Sequence, residues 1–112
     1  AQRRGKKIFE RTMDNTGNPI PLTNQCAFCH PAPYYTRRLV FEVGKGSFLD
    51  TNRDFDVPQL NNIYETAPYL HDGRAETLEE IWTRYNPHDE HGVTNDMTKD
   101  QLKDLIEYLK TL

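Results

Sequence analysis

The feature that most constrains this chain is a pentapeptide, CAFCH, at residues 26–30. Two cysteines separated by two residues can each bond one vinyl group of a haem, and a histidine that follows at once can bind the haem iron. We therefore predict one covalently bound haem c, attached through Cys26 and Cys29. His30 is predicted to be the proximal axial ligand of the iron.

Two other uses of closely spaced cysteines fit the surrounding sequence less well. A thioredoxin-like disulfide lies between a strand and a helix within a βαβ unit, and the Pro- and Asn-rich residues before Cys26 do not supply that setting. A structural zinc site has four nitrogen or sulfur ligands, and only histidines remain once the two cysteines are used. The haem interpretation is therefore favoured.

Length and composition favour a single domain over residues 1–112. A chain of 112 residues suits one hydrophobic core. Only 36% of the residues are hydrophobic, and a buried porphyrin would add a large apolar disc to that core. No apolar segment approaches the ~20 residues that span a bilayer. The net charge of −3 argues against a nucleic-acid partner.

Helical patterns at both ends predict a mainly α fold. Residues 2–13 are predicted to form a first helix, although Gly5 lowers its helix propensity. The last helix is the clearest prediction, because Thr98 and Gln101 form a capping box before a run of apolar residues at three- and four-residue steps. These apolar residues are Leu102, Leu105, Ile106, Leu109 and Leu112.

The middle of the chain is predicted to be less regular. Residues 39–43 have the composition of a short strand, and residues 60–64 that of a brief helix. A further helix is predicted over residues 77–85, because Thr77 is a suitable N-cap with Glu80 three residues later. Long loops connect these elements, and a haem would give them a surface to pack on.

Residues 56–82, DVPQLNNIYETAPYLHDGRAETLEEIW, closely resemble the second haem domain of the bacterial dihaem cytochrome c peroxidase and MauG family. The resemblance extends from GKKIF through CAFCH to the C-terminal DLIEYLKTL, so it covers most of the chain. It implies a single-domain cytochrome c-like fold, with helices packed around one covalently bound haem and long irregular loops.

The resemblance also carries functional expectations. In that family the matching domain transfers electrons, and a separate N-terminal haem domain carries out the peroxide chemistry. This sequence contains one CxxCH motif, so the resemblance implies the electron-transfer half alone. His71 matches the motif histidine of TAPYLHDG, which in the family lies near the haem. We expect it to form hydrogen bonds in a turn rather than to bind iron.

The family takes its distal iron ligand from the loop before the last helix, usually as Met, or as Tyr in MauG. Tyr85 occupies this position when residues are counted forward from HDG, whereas His91 does so when the Met-Gly of the family is aligned with His91-Gly92. Met97 is the only methionine in the loop, but it directly precedes the helix cap, where a packing residue is expected. We therefore rank His91 first as the distal axial ligand, with Tyr85 and Met97 as alternatives.

These expectations define a function. We predict a monohaem c-type cytochrome that transfers single electrons between redox protein partners, by itself or as the electron-transfer part of a larger oxidoreductase, and that is not itself an enzyme. Haem attachment normally requires export, so a periplasmic or other extracytoplasmic location is expected. Residues 1–7 lack the apolar segment of a secretory signal, as in a mature chain or an excised domain. A peroxidase or MauG-like enzyme domain, or a sensor of small gases, is the alternative if the iron keeps an open position.

Overall fold

The computed structural model of this protein describes residues 1–36, 40–42 and 54–112, with the backbone alone at 40–42 and 54–56. The helices are α1 (Gln2–Phe9), α2 (Cys26–Cys29), α3 (Leu78–Thr83) and α4 (Lys99–Leu109), with single 3₁₀ turns at Leu22–Asn24 and Ile63–Glu65. Two short strands, β1 (Val40–Glu42) and β2 (Asp54–Asp56), pair antiparallel. The fold is mainly α, as the sequence predicts.

Helix α1 ends at Phe9, before the predicted boundary at residue 13. Beyond it the chain turns back on itself, because the N–H of Ile20 donates to the carbonyl of Thr12 over 2.8 Å. The Asp14 carboxylate accepts hydrogen bonds from the backbone N–H groups of Thr16 and Asn18, each at 2.9 Å. Side-chain acceptors of this kind compete with helical hydrogen bonds, and here they stabilise the turn at residues 14–18.

Helix α1 crosses α4 at Gly5, which is buried. A Cβ atom built at this position would collide with the backbone carbonyl oxygen of Asp104 and lie 2.7 Å from the Cβ of Tyr108. Glycine is the residue that permits such a close approach of two backbones. The residue that lowers helix propensity in the sequence is therefore the one that lets the two terminal helices pack.

The predicted helix starts at Thr77 and Thr98 are confirmed. The Thr77 hydroxyl accepts from the N–H of Glu80 at 3.4 Å, although α3 ends at Thr83 rather than at residue 85. Thr98 and Gln101 form both hydrogen bonds of a capping box, at 3.1 and 3.0 Å. The core joins α1, α3, α4 and the chain before α3; it consists of Phe9, Tyr69, Ala75, Leu78, Ile81, Leu105, Ile106, Tyr108 and Leu109.

The middle of the chain agrees with the sequence in part. The strand predicted at residues 39–43 is present as β1, with Leu39 and Val43 outside the described residues. The brief helix predicted at 60–64 is a single 3₁₀ turn, Ile63–Glu65. Within the ranges that the structure describes, no helix has the length and apolar character needed to cross a membrane.

Candidate haem site

Helix α2 presents the CxxCH side chains to one cavity. The N–H of His30 donates to the carbonyl of Cys26 over 2.8 Å, which completes one helical turn. Residues three and four apart lie on the same side of such a turn. Cys26, Cys29 and His30 accordingly line a cavity of about 360 Å³, a volume within the usual range of ligand sites. The two intervening residues, Ala27 and Phe28, are not part of the lining.

The ring of His30 is held by two backbone carbonyls. Its Nδ1 lies 2.9 Å from the carbonyl oxygen of Tyr35 and 3.1 Å from that of Pro58. Because a carbonyl oxygen can only accept, Nδ1 carries the proton and Nε2 keeps its lone pair. Burial lowers the pKa of His30, against an opposite effect of the two carbonyls, so the ring is neutral at neutral pH. A neutral imidazole oriented through its other nitrogen is the usual state of a metal-bound histidine.

The two cysteines are thiols and form no disulfide with each other. Burial raises the pKa of the Cys26 thiol to about 11, while the nearby Arg11 has the opposite, smaller effect. A raised pKa keeps this thiol protonated at neutral pH. Within the described residues, Cys26, Cys29 and His30 do not converge as ligands of one metal ion. They instead share the wall of a larger cavity.

The rest of the cavity suits a flat apolar group. Its apolar lining side chains are aliphatic or aromatic, and they come from α1, from the chain before α3, from α3 and from α4. The main ones are Phe9 in α1, Leu60, Ile63 and Leu70 before α3, Leu78, Ile81 and Trp82 in α3, and Leu109 in α4. Thiols, one oriented imidazole and an apolar enclosure are the donor set and surroundings that a covalently attached haem requires.

A tight turn brings His71 to the same cavity. Tyr69 and Ala75 exchange two backbone hydrogen bonds, at 2.7 and 3.3 Å, and so close the loop that contains HDG. Gly73 has a φ of +71°, a backbone conformation that favours glycine, and a Cβ there would lie 3.1 Å from Pro68. The His71 side chain lines the cavity, and its Nε2 lies 4.0 Å from a carboxylate oxygen of Asp72.

His91 also lines the cavity, from the loop before α4. Its Nδ1 atom is buried. The next residue, Gly92, has a φ of +78°, and a Cβ there would lie 3.6 Å from the sulfur of Cys26. The His91-Gly92 segment therefore packs directly on the cysteine end of the cavity.

The other candidate ligands lie elsewhere. Tyr85 and Met97 both pack against the hydrophobic core and are not part of the cavity lining. The guanidinium carbons of Arg84 and Arg74 lie 5.5 and 5.8 Å from the centre of the Tyr85 ring. His88 is exposed and does not line the cavity either.

Several residues that shape the site carry no signal in the sequence. The carbonyls of Tyr35 and Pro58 orient His30, and any residue type could provide them. Arg11 donates to the carbonyl of Val93 at 2.8 Å and to the Asp96 carboxylate at 2.7 Å, which ties the His91 loop to the segment after α1. Asn86, which the sequence marks only as a loop residue, is buried beneath His91.

Comparison with known proteins places this site in context. No protein-family model matches the chain. The chain is 45% identical over 65 residues to hydrazine synthase subunit gamma of Kuenenia stuttgartiensis, a match that covers 57% of this chain and 18% of that subunit. The fold is similar to that of a MauG-like protein associated with microbial copper homeostasis, with a TM-score of 0.66 and 21% identity.

The structural match covers 99% of this chain and 46% of the MauG-like chain, so the chain spans less than half of either protein. At 21% identity this likeness establishes the fold, and the predicted cytochrome c-like fold is confirmed. Helices from both ends of the chain, together with α3, enclose a cavity with a Cys26, Cys29 and His30 wall. This chain therefore has a cytochrome c-like fold.

Proposed function

We propose that this domain is an electron-transfer cytochrome c domain with one covalent haem. Cys26 and Cys29 would form the thioether bonds, and His30 and His91 would be the two axial ligands. A bound haem supplies a one-electron redox couple, and the protein contributes the ligands, their orientation and the exclusion of water. Residues 56–82 resemble the second haem domain of the peroxidase and MauG family. This resemblance supports electron transfer, since that domain is the electron-transfer domain of the family.

The observation that carries the proposal is the arrangement of His30. Its Nδ1 donates to the carbonyls of Tyr35 and Pro58 while the ring lines the cavity beside both cysteines. Such hydrogen bonds fix the tautomer and raise the basicity of the nitrogen that faces the metal. Both cysteines line the same cavity as this ring, which is the arrangement that two thioether bonds and one iron ligand require.

The second ligand decides between a carrier and an enzyme. His91 is favoured because it lines the cavity and its neighbour packs on Cys26, whereas Tyr85 and Met97 are absent from the lining. Two imidazole ligands leave no open position for peroxide or a gas, and they lower the reduction potential relative to a thioether ligand. We therefore favour electron transfer over peroxide chemistry.

We infer the setting of the domain from its proposed chemistry and from one relative. Covalent haem attachment implies an extracytoplasmic protein. A relative that is itself a subunit supports a place in a larger redox assembly, with protein partners as electron donor and acceptor. An exposed edge of the haem would be the point of exchange with those partners.

The test begins with the protein expressed together with the haem-attachment machinery. Haem that stays on the polypeptide after denaturation, and is lost in a Cys26→Ser and Cys29→Ser double variant, would establish the covalent site. Low-temperature EPR of the ferric protein should show low-spin iron. His91→Ala should give high-spin iron, and added imidazole should restore the low-spin spectrum. His88→Ala is the matched control, since this loop histidine lies outside the cavity, and it should behave as wild type.

Other outcomes would assign the site differently. High-spin iron in the wild type with peroxide turnover would indicate an enzyme domain, and binding of carbon monoxide to the reduced wild type would indicate a gas-binding module. A low-spin spectrum that survives His91→Ala would move the ligand to the residue whose replacement abolishes it. His71→Ala, Tyr85→Phe and Met97→Leu test these three positions.

A further inference from the structure

The His91 loop is organised around one buried amide side chain, that of Asn86. This residue is only 1% exposed. Its Oδ1 accepts from the backbone N–H of His91 at 2.8 Å. Its Nδ2 lies 3.2 Å from the carbonyl oxygen of His91, 2.9 Å from that of Gly92 and 2.9 Å from the hydroxyl of Thr94. Asn86 therefore contacts the backbone of His91 through both ends of its amide.

The same loop is attached to the segment that precedes the CxxCH motif. The N–H of Val93 donates to the carbonyl of Asn24 over 3.2 Å, and the Asn24 amide donates to the carbonyl of Asp89 over 2.8 Å. The Asp89 carboxylate in turn accepts from the N–H of Thr94 at 3.0 Å. These bonds fix the loop relative to Cys26, while Asn86 fixes the path of the chain within the loop.

We propose that Asn86 is the positioning residue that holds His91 in place as an axial ligand. The inference rests on the proposed role of His91. The described backbone from Asn86 to Met97 contains neither a helix nor a strand, so regular secondary structure does not position His91. A buried amide that satisfies the backbone donor and acceptor of one residue supplies the missing constraint. A ligand held in advance binds with less loss of conformational entropy than a free loop would.

The proposal is tested by competition for the iron in the haem-loaded protein. Added imidazole must displace His91, so its apparent affinity reports the fraction of protein in which His91 is bound. Asn86→Ala should raise the high-spin fraction of the ferric protein and increase the affinity for imidazole about tenfold or more. Asn95→Ala is the matched control. It removes an exposed amide that donates to the carbonyl of Pro87 in the same loop at 2.9 Å, and should leave both quantities at wild-type values.

A general loss of structure must be separated from loss of positioning. Far-UV circular dichroism at the temperature of the titration should show that Asn86→Ala is folded. If that variant does not fold, Thr94→Val removes one hydroxyl contact of Asn86 with little change in side-chain volume. It should shift imidazole affinity in the same direction by a smaller factor. Wild-type affinity in every folded variant of this pair would overturn the proposal.

A second background separates the two proposals. In His91→Ala, imidazole binds without a competitor, and adding Asn86→Ala should change its affinity little, because Asn86 acts through His91. An equal effect of Asn86→Ala in both backgrounds would show a structural role alone and overturn the inference. If His91→Ala changes neither the spectrum nor the imidazole affinity, the ligand assignment itself fails, and the role of Asn86 fails with it. If His91→Ala acts as expected and Asn86→Ala does not, only the inference is wrong.

Discussion

The crossing of α1 and α4 at Gly5 gives a sharp test of the fold. In Gly5→Ala, the added Cβ would collide with the backbone carbonyl of Asp104 and lie 2.7 Å from the Cβ of Tyr108. Neither neighbour can rotate away, because one is backbone and the other is the first side-chain atom. An ordinary van der Waals distance between carbon atoms is roughly 3.5–4.0 Å. The two helices would have to separate until the new Cβ reaches about that distance from both neighbours.

Two opposing effects set the size of the change. Overpacking of a well-packed interior costs about 1–3 kcal/mol, and a rigid backbone neighbour favours the upper end. Alanine has a helix propensity better than that of glycine by about 1 kcal/mol. The net loss in the free energy of unfolding should be about 2 kcal/mol, which for a domain of this size lowers Tm by about 10 °C.

Thermal unfolding of the haem-loaded protein, followed by far-UV circular dichroism, measures this loss. Lys7→Ala is the matched control, since Lys7 is exposed on the same helix, and its effect should stay within about 0.5 kcal/mol. A Gly5→Ala variant as stable as wild type, or more stable, would refute the reasoning. In that case the gain in helix propensity would act alone, and the helices would not be in contact at Gly5.

Two further predictions concern the segments that flank the candidate ligands. Hydrogen bonding to Arg11 lowers the pKa of the Asp96 carboxyl. The contribution of Asp96 to stability should therefore be complete above about 3.9, the pKa of Asp in the unfolded chain. It should be lost as the pH falls through the pKa of Asp96 in the folded protein. The difference in urea stability between wild type and Asp96→Asn should be about 2 kcal/mol at pH 7 and should shrink in acid. Asp104→Asn breaks the ion pair with Arg4, whose side chain is 69% exposed, and should cost less, because an exposed partner is easily solvated. An equal cost would contradict the role of the Arg11 pair. Thr98→Ala removes the capping box of α4 and should cost about 1 kcal/mol in the same assay. Thr98→Ser keeps the capping hydroxyl and should retain most of the wild-type stability. Equal losses in both variants would argue against the cap.

Much of the candidate site is local in sequence and could be predicted from it. The spacing of CAFCH puts Cys26, Cys29 and His30 on one side of a single helical turn, whatever the rest of the chain does. The capping box at Thr98 and the apolar stripe of α4 are equally local, because their contacts join residues three or four apart. The resemblance in residues 56–82 added the fold and the expectation of an electron-transfer domain.

Tertiary structure decided what depends on residues distant in sequence. The sequence offered Tyr85, His91 and Met97 as ligand candidates, and only the folded loop shows that His91 alone of these lines the cavity. From the sequence alone, Gly5 only lowers the helix propensity of residues 2–13. Its role in packing depends on the backbone of Asp104, a residue far along the chain. The partners of His30 are backbone carbonyls, which no pattern of side chains encodes. Local hydrogen bonds and periodicity thus determined the single helical turn at CAFCH and the start of α4, and long-range packing determined which side chains face the cavity.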